Sequence, residues 1–273
     1  MDSFAEGGKR EMKYFEFGKK TAPLAVILHG GGTSYRGAEP TAKLLGERFH
    51  VILAAYDGFN PSEPDTEFKS VMDEARRVGD YVVEHYGGRI DVLYGISFGC
   101  RVLMEVLKDE RLHITTTIAD GMSLRDYPDI KSKLGKDVYC LFFTGLFYTV
   151  MAHPGPLRKR FLARITGRSL SEVDRVLYTK ATWKSWKNQD YWLIGKKTDY
   201  SLFGRTRMFL WYGIKGTVDK KLSANLDKLK ATGYPFELKI FSELGHGGLA
   251  GEHPAQFVEE VTAAWQKSLA RGG

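Results

Sequence analysis

Chemistry is most concentrated at Gly95-Ile96-Ser97-Phe98-Gly99. The string follows an apolar run, Ile90 to Tyr94, and opens a helical pattern with Val102, Leu103, Val106 and Leu107 on one face. A tight turn between a buried strand and a helix lifts a serine hydroxyl clear of the backbone, and it needs small residues two positions away on each side. Ser97 is therefore a candidate nucleophile, which requires a base and a place for negative charge. His29-Gly30-Gly31-Gly32, at the end of an earlier apolar run, suits the second need. A glycine run lets the backbone approach a substrate closely. The N–H of Gly31 or Gly32, with that of Phe98 after the serine, would stabilise a tetrahedral oxyanion. The spacing is neither G-x-G-x-x-G nor a P-loop, which disfavours a phosphate cradle. His29 itself is expected to be structural, pinning the loop by hydrogen bonding.

Of the seven histidines, His246 in Leu244-Gly245-His246-Gly247-Gly248 is the candidate base. It lies late in the chain, just after the last apolar strand, between glycines that let the ring swing toward a hydroxyl. His50, His85 and His113 sit at element ends and are expected on the surface, whereas His153 and His253 each precede a proline. No pair of His, Asp, Glu or Cys shows metal-ligand spacing, so no metal is expected.

These residues need a scaffold. Strands are expected at Lys13 to Phe17, Leu24 to Leu28, Val51 to Ala55, Ile90 to Tyr94, Ile114 to Ala119, Met208 to Tyr212 and Phe236 to Phe241. Helices are expected at Glu39 to Phe49, after a cap at Ser62 or Asp65, near Lys220 to Lys230, and from Pro254 to Trp265. Such alternation predicts an α/β fold, a mainly parallel sheet with helices on both faces. From about Met122 to Ser201 the alternation breaks into helices and loops. The expected organisation is a core of residues 1–121 and 202–273 with a helical cap insertion at 122–201.

From about residue 12 onward, the HGGG loop, the GISFG elbow and the late GHG resemble the α/β-hydrolase superfamily in order and spacing, in its form with a helical cap between the sixth and seventh strands of the fold. The resemblance implies acyl or related hydrolysis through a covalent intermediate, without an organic cofactor. It also implies an acid about three residues past a glycine after the seventh strand. Here that string is Gly213-Ile214-Lys215-Gly216, so the position holds a glycine. Two aspartates remain as candidates. Asp120 ends the strand expected at Ile114 to Ala119, which the resemblance equates with the family's sixth, from which some lipase-like members supply their acid, and it is preferred. Asp219 lies three residues beyond Gly216 and equally suits a helix N-cap. Either would orient the imidazole and stabilise its charged form without taking the proton.

Composition is that of an ordinary globular chain. Two cysteines, Cys100 and Cys140, allow at most one bridge. The first residues carry no recognisable signal peptide, and a cytoplasmic setting is expected. The net charge of +7 includes a basic stretch from Arg158 to Lys197, expected to be a solvated face. No basic run alternates with stacking aromatics, so no nucleic-acid partner is expected. The insertion holds Phe142, Phe143, Phe147, Tyr148, Trp183, Trp186, Tyr191 and Trp192, expected mainly as a small helical core that also walls an acyl pocket. Pro154-Gly155-Pro156 is a candidate hinge. The expected function is hydrolysis of a small or medium apolar carboxylic ester. Alternatives are a C–C bond hydrolase or amidase on the same serine, a non-catalytic ligand-binding protein that lost its acid, and a less favoured enzyme of a membrane surface using the basic cap and Leu141 to Val150.

Overall fold

Buried apolar strands alternating with amphipathic helices build the computed structural model, which describes residues 12–124, 126–218 and 223–270. Seven strands form one sheet: β1 (Lys13–Phe17), β2 (Leu24–Leu28), β3 (His50–Ala55), β4 (Arg89–Ile96), β5 (His113–Asp120), β6 (Arg207–Gly213) and β7 (Glu237–Phe241). Their order is β1-β3-β2-β4-β5-β6-β7. Only β1 runs antiparallel to its neighbour.

The sheet is covered on both faces, as uninterrupted apolar strands require. Val26, Leu28, Ile52 and Leu93 join one core with α2 (Val71–Tyr86) and α3 (Gly99–Val106). Ala25, Ile27, Leu53 and Val92 join the other with α1 (Tyr35–Leu45) and α10 (Pro254–Leu269). Each fully buried large side chain contributes roughly 1.5–3 kcal/mol. The short helices α8 (Ser223–Lys230) and α9 (Gly248–Glu252) precede β7 and α10.

Some boundaries differ from expectation. Helix α1 starts four residues before Glu39, carries Pro40 inside, and closes at Gly46. Residues 47–49 turn instead, which delivers Phe49 to the core. The N-cap of α2 is Ser70, whose hydroxyl accepts from Asp73 N–H at 3.1 Å, so neither Ser62 nor Asp65 caps it. His50 is buried rather than exposed, with Nε2 at 2.8 Å from the Tyr86 hydroxyl.

Between β5 and β6 lie α4 (Lys133–Ala152), α5 (Pro156–Thr166), α6 (Leu170–Val176), α7 (Trp183–Leu193) and a 3-10 turn (Tyr200–Arg205). Ser132, Ser169 and Thr182 cap three of these helices through side-chain oxygens. The aromatics form a core only in part: Trp186 is buried, but Phe142 and Phe147 face outward. Cys100 and Cys140 are buried and form no disulfide among the described residues. Among the described residues no helix is long and apolar enough to cross a membrane.

The chain reverses its direction across the sheet at β2, whose neighbours are β3 and β4. Loops leaving the carboxyl ends of β2 and β4 therefore lead to opposite sides of the sheet, and sheets of this kind commonly bind ligands at that point. One of those loops begins at His29 and the other holds Ser97.

Candidate active site

Ser97 is the only non-glycine residue with positive φ among the described residues, at +54°. That conformation costs about 1–3 kcal/mol and persists where surrounding bonds fix it. Here the Ser97 N–H donates to the Asp120 carbonyl at 2.8 Å, and the Ser97 carbonyl accepts from Cys100 N–H at 3.1 Å. Both flanking glycines are required by space. A β-carbon on Gly95 would meet the Gly99 carbonyl at 2.9 Å, and one on Gly99 would meet the His29 carbonyl at 2.7 Å. The elbow is thus pressed onto the end of β2.

That contact brings the glycine loop to the serine. A β-carbon on Gly30 would lie 3.6 Å from Ser97 Cβ, and one on Gly31 would lie 3.1 Å from Phe98 Cβ. The N–H groups of Gly31, Gly32 and Phe98 form no backbone hydrogen bond among the described residues. The three residues expected from the sequence to supply oxyanion donors thus lie beside the serine. His29 holds the loop from below. It is buried, with Nδ1 3.0 Å from the Gly30 carbonyl, and Nε2 accepts the Tyr56 N–H at 3.4 Å. Burial lowers its pKa to about 4, so the ring is neutral and serves as a brace.

His246 reaches the same end of the sheet from the loop after β7. Its ring lies on Gly121: a β-carbon there would come within 2.6 Å of Nδ1. Gly121 also has φ +66°, so space and backbone conformation both favour glycine. The residue before it is Asp120, buried and paired in register with Ile96, one residue short of the serine. Its Oδ2 accepts the Tyr94 hydroxyl at 2.7 Å. Burial, and then the Asp120 charge, push the Tyr94 phenol far above its ordinary range, so it remains a donor. Asp219 lies outside the described residues. The glycine at the expected acid position has a physical cause. A β-carbon on Gly216 would come within 2.5 Å of the Thr166 carbonyl carbon and 2.6 Å of Gly167 N. Backbone from the insertion fills the space an aspartate there would need.

The same stretch grips the histidine. His246 N–H donates to the Thr166 carbonyl at 2.7 Å, while Arg168 Nε donates to the His246 carbonyl at 2.6 Å. Both backbone polar groups of His246 are therefore held by the α5–α6 link. This clamp had no signature in the sequence, because long-range backbone bonds leave none.

Helix α7 covers the loop from the other side. A β-carbon on Gly32 would meet Trp186 Cζ2 at 2.8 Å and Met151 Cε at 2.9 Å, and one on Gly31 would meet Gln189 Oε1 at 3.0 Å. Gln189 and Trp186 are buried, yet Gln189 Nε2 and Trp186 Nε1 have no hydrogen-bond partner among the described residues. Orphaned buried donors cost stability and are uncommon. They are spaced i, i+3 on α7; Trp186 was among the aromatics expected from the sequence in a small core that also walls a pocket, whereas Gln189 was not singled out. Phe59 packs on Trp186 at 5.7 Å between centroids, and Phe68 on Phe98 at 5.9 Å. The site brings together a serine, a histidine ring resting on the glycine that follows a buried aspartate, a glycine loop, aromatic walls and two buried N–H groups without a partner among the described residues. An open groove of about 410 Å³ lined by Leu107, Leu112, His113 and Arg205 lies at the opposite end of the sheet.

A model described as "Alpha/beta hydrolase family" matches residues 25–260. No curated protein matches the chain in sequence. Among solved structures the chain is similar to MenH from S. aureus, with 14% identity over 95% of this chain and 99% of that one and a TM-score of 0.66. It is also similar to a lipase-esterase related protein from Clostridium acetobutylicum, with 15% identity, 93% and 100% covered, and a TM-score of 0.62. A structure from work on carboxylesterases of Nitrososphaera gargenis gives 12% identity, 95% of each chain and 0.65. At these identities the likeness is one of fold.

Proposed function

Because the chain belongs to the alpha/beta hydrolase family, we propose that it is a serine esterase cleaving small or medium lipophilic carboxylic esters through an acyl-enzyme. The observation that carries this is the strained Ser97, bonded through its backbone to Asp120 while the His246 ring rests on the next residue, Gly121.

In the proposed mechanism Ser97 Oγ attacks the ester carbonyl as His246 takes the hydroxyl proton. Asp120 orients the ring and stabilises its charged form, itself steadied by Tyr94. Negative charge on the carbonyl oxygen meets the N–H groups of Phe98 and of Gly31 or Gly32. Collapse breaks the ester bond, and His246 protonates the departing alkoxide. Water, deprotonated by the same ring, then attacks the acyl-serine and returns the enzyme.

Phe59, Phe68, Phe98 and Trp186 beside the loop support an apolar acyl group. The orphaned Gln189 and Trp186 donors favour a second reading inside the same chemistry. They suit a substrate with an additional carbonyl or carboxylate near the scissile bond, as in a C–C bond hydrolase acting on a diketone. A panel of nitrophenyl esters of graded acyl length, one amide and one β-diketone separates the two. Ester turnover peaking at a medium chain and abolished in Ser97→Ala supports the esterase. Diketone cleavage without ester turnover supports the second reading, and no turnover at all contradicts both.

A further inference from the structure

We infer that the outer face of α4 and α5 docks on an anionic lipid bilayer. Helix α4 is inverted relative to an ordinary surface helix. The residues it buries are Cys140, Thr144 and Ala152, spaced i, i+4, i+12. Its large apolar side chains point outward: Leu134 (74% exposed), Leu141 (61%), Phe142 (75%) and Leu146 (65%), with Val138 between them. These fall at i, i+4, i+7, i+8 and i+12, a single stripe about 18 Å long at 1.5 Å per residue. Exposed apolar surface of this continuity marks an interaction site. Leu157 and Phe161, i and i+4 on α5, add to the exposed apolar surface.

Charge selects the occupant. Residues 131–168 hold four lysines and four arginines against Asp137 alone, a net of +7 that equals the net charge of the entire chain. Arg158, Arg160 and Arg164 of α5 are exposed alongside Leu157 and Phe161. An isologous contact with a second copy would bring two such segments together and be repelled. An anionic interface instead accepts the apolar stripe while the basic groups meet its headgroups. The helix lies on the membrane, since none of the described helices can cross it. The C-terminal turn of α4 carries Met151, which touches Gly32 in the glycine loop. Docking would thus place the covering of the site next to lipid. The inference is independent of the proposed esterase activity.

The test is sedimentation of the full chain with vesicles of phosphatidylcholine alone or mixed with phosphatidylserine, at low and high salt and without substrate. The expected result is binding to the mixed vesicles that weakens with salt and is absent on phosphatidylcholine alone. Leu141→Glu/Phe142→Glu should weaken binding at least tenfold with thermal unfolding unchanged, and Arg160→Glu/Arg164→Glu should weaken it similarly. Failure of the wild type to sediment with mixed vesicles at low salt overturns the inference. So does binding that survives both double variants. A concentration-dependent dimer dissolved by Leu141→Glu/Phe142→Glu, without lipid binding, would assign the face to a second copy.

Discussion

The imidazole of His246 rests directly on the α-carbon of Gly121, close enough that a β-carbon there would lie 2.6 Å from Nδ1. Gly121 also has φ +66°, a region in which a side chain is strained by about 1–3 kcal/mol. Gly121→Ala should therefore displace the ring, cutting kcat by about 100-fold or more, while the protein still folds with a lowered Tm. An unchanged kcat in a folded Gly121→Ala protein would mean that the ring position does not matter.

The backbone of His246 is held on both sides by the insertion, by Thr166 through its N–H and by Arg168 through its carbonyl. Arg168 acts through the histidine, so it is a positioning residue. Arg168→Met should lower kcat about 10- to 100-fold with KM unchanged, and Arg168→Lys, which keeps a donor, should recover part of the loss. Steady-state kinetics with Tm measured in parallel checks this. A loss that tracks Tm alone would assign Arg168 to stability.

Gln189 gives an opposed pair of expectations. Its buried Nε2 has no partner, so Gln189→Leu should raise stability, by about 1–3 kcal/mol. If the amide receives a polar group of the substrate, the same change should lower kcat/KM about tenfold. Urea unfolding and kinetics on one preparation test both. A variant both less stable and fully active would contradict the assignment.

The elements that hold the site were largely legible in the sequence, because a buried strand is an apolar run and the elbow is local. β2 and β4 place Ser97 and the glycine loop side by side once the strand order is set. The acid was left by the sequence as a choice between Asp120 and Asp219, since Gly216 occupies the usual position. The reason for that glycine, backbone of residues 166–167 pressed against it, is a contact across about 50 residues that no local pattern encodes. The burial of His50 was likewise hidden, because its partners Tyr86 and Glu16 are distant in the chain. The outward face of α4 ran against the rule that large apolar residues turn inward, so its aromatics were assigned to a core that holds only some of them.

Asp190 of α7 gives a pH dependence. Burial pushes its carboxyl from 3.8 up to about 6. The folded state thus holds this proton more tightly than the unfolded chain. Its stabilising contribution is complete below pH 3.8 and is lost as pH rises through 6, by roughly 3 kcal/mol. Asp190→Asn should remove that slope and be the more stable form at pH 7. Unfolding free energies of both proteins from pH 4 to 8 decide it, and parallel curves would contradict the burial effect.

The most direct measurement is covalent labelling by a fluorophosphonate probe, comparing the wild type with Ser97→Ala, His246→Ala, Asp120→Asn and Asp219→Asn. The proposed triad predicts rapid labelling of the wild type and of Asp219→Asn, none of Ser97→Ala, and labelling slowed roughly 10³–10⁴-fold in His246→Ala and Asp120→Asn. A folded wild-type protein that never labels would contradict the nucleophile. Slowing in Asp219→Asn with Asp120→Asn unaffected would move the acid to the other aspartate.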